Sequence, residues 1–167
     1  ERVRVIKANA LRIRTTDKKN FRIYIPSDCV FSRSFIINLC MFLDTRKEDE
    51  TVTFVLGAKL DDGCANLVGA IISAINSCKA KIITIAAGYC SIAETMIWCF
   101  GDVRLVLRYG ALTFGITELV RQVPKYLDYF KAFLSKAREI EVLTDEDVDD
   151  ITKKNLTKFF VYGDLKH

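Results

Sequence analysis

The stretch Lys81–Cys99, KIITIAAGYCSIAETMIWC, leaves a chain of this kind few ways to fold. Ile82, Ile83 and Ile85 predict a buried β-strand, Ala86, Ala87 and Gly88 a small-residue turn, and Ile92, Met96 and Cys99 the apolar side of a helix that begins near Ser91. A strand that runs straight into a helix sets one side chain at the helix N-terminus, where free backbone N–H groups favour negative charge. Ser91 holds that place. A serine there is a cap or a nucleophile, and the choice turns on whether the rest of the chain supplies a base.

With 167 residues, half of them hydrophobic, the chain can bury one sizeable core. No apolar run reaches the roughly 18 residues that a membrane span needs, so no membrane partner is expected. The six cysteines lie in apolar segments without a CxxC pair, which points to reduced core thiols, a reducing compartment, and neither zinc nor disulfides. The acidic run Asp145, Glu146, Asp147 follows Thr144 as a helix start, with no glycine placed for a calcium loop. Neither metal nor cofactor is expected. Residues 1 to 22 hold eight basic side chains against two acidic ones, but Val3, Val5, Leu11 and Ile13 alternate with them as in a solvated hairpin. That pattern argues against a nucleic-acid-binding arm.

Along the chain, residues 2–15 read as two strands around a turn at Ala8-Asn9, and 21–25 as a third. A helix follows from Ser32 to Phe42, then a strand over 51–56, a helix over 64–78 that is apolar on nearly every side, and the strand and helix around Ser91. Segments 102–108 and 111–116 are further strands. Strands and helices alternating at short spacing predict α/β architecture with right-handed crossovers and a largely parallel sheet. From about 117 to 141 the helical period persists longer than one small core can cover, which predicts contact with another subunit. A capped helix and a short strand or turn with exposed aromatics complete the chain.

From about residue 20 to its end the chain resembles the Clp protease proteolytic subunits, the ClpP-like family. RIYIPSDCV and SRSFIINLCMFLD are similar to the opening strand and helix, TFVLGAKLDDGCANLVGAIISAI to the strand, oxyanion loop and next helix, and IAAGYCSIA to the nucleophile segment. DVRLVLRYGALTFGI is similar to the strand pair that carries the histidine, and DVDDITKKNLTKFF to the segment that carries the aspartate. The resemblance implies a spiral of βαβ units of the ClpP/crotonase type. It implies a basic axial segment over 1–19, a single domain over 20–167 with a head to about 116, and a protruding handle helix over about 117–141. It further implies that Leu119, Leu127, Phe130, Phe133 and Leu134 on the handle meet another ring.

The same resemblance puts Ser91 on the nucleophile, Gly115 (or Phe114, with the alignment shifted by one) on the histidine position and Lys154 on the aspartate position, with Lys59, Leu60 and Asp61 in place of the oxyanion-loop Pro-Gly-Gly. Acyl transfer by serine needs a base, a group that orients it, and donors for the oxyanion. Neither glycine nor an ion-pairing lysine fills those roles, and a β-carbon at each loop position hinders the turn that aims N–H groups at substrate. Glu94, one turn along the helix, is expected to repel an oxyanion beside Ser91, and Cys90 to be a buried thiol. The chain therefore resembles most the non-catalytic, ClpR-type subunits. As implications these bring heptameric rings with itself or with active ClpP subunits, a AAA+ unfoldase as a further partner, and a plastid stroma or bacterial cytoplasm as location. Two alternatives are an active peptidase that uses Ser91 with Lys59, Lys125 or Lys154 as base, and a crotonase-like acyl-CoA enzyme.

Overall fold

The computed structural model describes residues 4–8, 11–15, 17–24, 33–58, 65–116 and 124–161. Its elements run β1 (Arg4–Ala8), β2 (Leu11–Thr15), β3 (Asn20–Tyr24), α1 (Arg33–Asp44), β4 (Thr51–Ala58), α2 (Ala65–Ser77), β5 (Lys81–Tyr89) and α3 (Ile92–Cys99). β6 (Val103–Val106), β7 (Ala111–Phe114), α4 (Pro124–Glu139), α5 (Asp145–Thr152) and β8 (Lys158–Val161) complete them. The expected hairpin is present: Ala8 pairs with Leu11 and Arg4 with Thr15, and β2 then pairs antiparallel with β3.

β3, β4 and β5 lie parallel and in sequence order, joined by crossovers through α1 and α2. β5 serves two neighbours along its length. Ile83–Ala86 pair with β6, while Tyr89, further on, pairs with β7, which carries β8 antiparallel on its other edge. Alternation along the strands sends Ile23, Val52, Phe54 and Ile82 into a core shared with Leu39 and Leu43 of α1 and with Val68 and Ile71 of α2.

Two expectations change. The small residues Ala86, Ala87 and Gly88 make no turn; β5 continues through them to Tyr89. They admit a close neighbour instead: a β-carbon on Gly57 of β4 would stand 2.3 Å from the Gly88 nitrogen, and β4 bulges there, with Gly57 at φ +117°. The second change concerns the handle. Phe130, Phe133 and Leu134 do not face another subunit; they are buried in this chain's own core, where Phe133 stacks on Phe114 of β7 with ring centroids 5.5 Å apart. The helical period does mark an apolar face, but periodicity does not say whose surface covers it. Leu119 and residues 117–123 lie outside the described residues, as does the side chain of Leu127.

The C-terminal elements match their signals. Thr144 Oγ1 accepts from the Asp147 N–H at 3.1 Å and Asp147 Oδ2 accepts from the Thr144 N–H at 3.0 Å, the reciprocal capping box. On β8, Phe159 is half exposed while Phe160 meets Phe114 edge-on at 5.7 Å. Because Phe133 is buried within the isolated chain, Phe133→Ala should lower its unfolding free energy by about 3–5 kcal/mol in urea titrations. A loss of only a few tenths would return this residue to the surface.

Candidate functional site

Ser91 begins α3 in extended backbone, φ −65° and ψ 173°, after the Cys90 N–H has donated to the Ala111 carbonyl at 2.9 Å and tied the end of β5 to β7. Its Oγ accepts from the Glu94 N–H at 3.3 Å, and Glu94 Oε1 accepts in turn from the Ser91 N–H at 3.3 Å. This is a capping box, so Ser91 does the work of an N-cap. Glu94 is wholly buried, and its second oxygen reaches another element, accepting from the Gly57 N–H at 2.7 Å. The bulge in β4 and the positive φ of Gly57 turn that N–H out of the strand ladder toward the carboxylate. Glu94 therefore acts more directly than by repulsion: its own carboxylate takes up backbone donors beside Ser91.

One turn further, Thr95 Oγ1 accepts from the Thr113 N–H at 3.0 Å, so α3 stands in for a strand partner along β7. That docking brings the C-terminal end of β7 to the start of α3. Gly115 sits there. A β-carbon on it would lie 3.1 Å from Thr157 Oγ1 and 3.2 Å from Ile92 Cδ1, tight contacts that leave little space for an imidazole. Gly115 thus lies beside Ile92 at the start of α3 and brings no side chain there. Lys154 comes just after α5. Its ammonium is exposed and paired with Asp150 Oδ1 at 3.1 Å, whose other oxygen meets Lys158 Nζ at 2.9 Å.

Lys59, Leu60 and Asp61 lie outside the described residues, as do the side chain of Lys125 and the chain's single histidine, His167. Cys90 has no accessible surface, and burial, with a smaller contribution from Glu94, pushes its thiol far above the ordinary range. It is a buried thiol, as read from sequence. Sequence reasoning missed the reach of Glu94 to Gly57, a contact 37 residues apart. It also missed Asp150, although a carboxylate four residues before Lys154 is a readable helical pair.

Two measurements test these contacts. Glu94→Ala strands the N–H groups of Gly57 and Ser91, and should cost roughly 1–3 kcal/mol for each donor left unpaired in urea unfolding; Glu94→Gln, which keeps an acceptor oxygen, should cost less. Hydrogen bonds from Lys158 and then Lys154 hold the Asp150 carboxyl below its usual value. Its contribution to stability is therefore complete above about pH 4, the ordinary carboxylate value, and is lost as pH falls through the lowered one. Asp150→Asn should flatten the decline of the urea midpoint below about pH 4. An unchanged decline would remove Asp150 from the balance.

No family model matches this sequence. No curated protein matches it either. Solved structures do. A peptidase from Plasmodium falciparum superposes with a TM-score of 0.63 at 11% identity, covering 86% of this chain and 88% of that one. An enoyl-CoA hydratase/carnithine racemase from Magnetospirillum magneticum gives a TM-score of 0.59 at 11% identity over 91% of this chain. An enoyl-CoA hydratase from Shewanella pealeana gives 0.59 at 12% identity over 92% of it. This chain spans 63% and 64% of the lengths of those two hydratases. At such identities the likeness is one of fold: a mixed α/β, mainly parallel sheet of the ClpP/crotonase type.

Proposed function

We propose that this protein is a non-catalytic subunit of a Clp-type protease assembly, a member of a ring that shapes the barrel and cleaves nothing itself. The observation that carries the reading is that Ser91 is engaged as a helix cap while Gly115, the residue to which the resemblance assigns the base, is a glycine set against Ile92 and Thr157. Loss of base and orienter costs a serine triad on the order of 10⁴–10⁶ in rate. The lysine at the orienter position is paired with Asp150 in solvent. The partners in this reading are copies of the same chain or active relatives in heptameric rings, with a AAA+ unfoldase docking on the ring.

The test has two arms. A fluorophosphonate probe should leave Ser91 unlabelled, and Ser91→Ala should behave as the parent in peptide-cleavage assays. Native mass measured alone and with active Clp subunits should show a mixed or homomeric ring. Labelling at Ser91 would restore the peptidase reading. A monomer in both conditions would remove the ring.

A further inference from the structure

We infer that the Gly57 and Ser91 N–H groups form a carboxylate-binding site that the chain fills with its own Glu94, and that a small free carboxylate takes the same place once that side chain is shortened. The class of ligand is read from the occupant. Glu94 is wholly buried, and its two oxygens are divided between the donors: Oε2 accepts from the Gly57 N–H at 2.7 Å and Oε1 from the Ser91 N–H at 3.3 Å. Donors from two separate elements, each on its own oxygen, fit a planar carboxylate better than a single carbonyl oxygen.

Gly57 makes this more than a helix cap. The capping box is complete with Ser91 and Glu94 alone, through the Ser91 Oγ and Ser91 N–H bonds. The Gly57 N–H is an additional donor from β4, and it makes the shorter bond. Its direction is set by backbone: φ is +117°, and a β-carbon there would stand 2.3 Å from the Gly88 nitrogen, so the position is held for glycine. Beside Ser91, the Cys90 N–H is tied to the Ala111 carbonyl at 2.9 Å. Neither contact uses the Glu94 side chain, so both donors keep facing the space that its removal leaves. Neither donor belongs to Lys59, Leu60 and Asp61, where the resemblance places the oxyanion loop.

Burial narrows the ligand further. Leu56 of β4 and Ile92, Ala93 and Met96 of α3 are all buried, so a ligand here gives up its water, and its charge is admitted only where N–H groups replace that water. Shortening Glu94 to alanine deletes a CH2–COO⁻ unit, and acetate carries the same atoms with one more hydrogen. Chloride, without a second oxygen, satisfies one donor at a time. Pivalate brings the same carboxylate on a tert-butyl group too large for the deleted unit. In the parent chain the place is taken, and Glu94 shuts these donors to any outside carboxylate.

Ring assembly and peptide cleavage play no part in this site. The test adds acetate, chloride or pivalate at matched ionic strength to the full chain and to Glu94→Ala, and reads the melting midpoint together with the amide signals of Gly57 and Ser91 by NMR. Acetate at about ten times its dissociation constant should raise the midpoint of Glu94→Ala by roughly 3–6 °C over chloride. Both amides should shift saturably with it. The parent and Glu94→Gln, whose side chains fill the site, should show neither effect. If Glu94→Ala is unfolded in chloride, its refolded fraction becomes the readout, and recovery in acetate alone supports the site. No response to acetate, a response that chloride or pivalate matches or the parent shares, or one that leaves the Gly57 amide unmoved would overturn the inference.

Discussion

The Glu94 carboxylate joins two elements that are distant in sequence, the bulged end of β4 and the first turn of α3, through backbone N–H groups that have no place in a ladder or in the helix. Much of the head depends on that contact. If Gly57 donated within the sheet, β4 would not bulge, and the close approach of Gly57 to Gly88 would have no cause. If Ser91 were uncapped, α3 would begin elsewhere, and Thr95 would not meet the Thr113 N–H that holds β7 along the helix. A buried carboxylate is stable only where its oxygens are satisfied, and here secondary-structure ends provide the donors.

Around the same contact, β7 reaches the start of α3 and the segment after α5 reaches Gly115 through Thr157. The side chains at those positions are structural. The serine caps, the carboxylate clasps, the glycine makes room, and the lysine after α5 joins an ion-pair network that fastens that helix to β8. These contacts fasten the ends of elements, while the packing of the strand–helix spiral itself depends on apolar faces.

The fold was legible to a large degree because its signals are local. Alternation in residues 4–15, the helical spacing of Leu39 and Leu43, and the capping box at Thr144 each act over a few residues and name their element. The errors share one physical origin. Ala86-Ala87-Gly88 has the composition of a turn, yet it is strand because another strand's glycine lies against it. Phe130, Phe133 and Leu134 have the pattern of an exposed apolar stripe, yet they are core because Phe114 is beneath them. Small size and apolar period are properties of one segment; the surface they meet is a property of two.

By itself the sequence determined which residue types the chain has to offer near Ser91: that position 115 is a glycine and position 154 a lysine is a matter of residue identity alone. It also determined the order of strands and helices, because periodicity and capping are written residue by residue. Only the tertiary structure decided where the charges go. Glu94 accepts from Gly57, and Asp150 holds Lys154 and Lys158. Each depends on the distance between residues far apart in the chain, which strand register and helix packing set and no local pattern encodes.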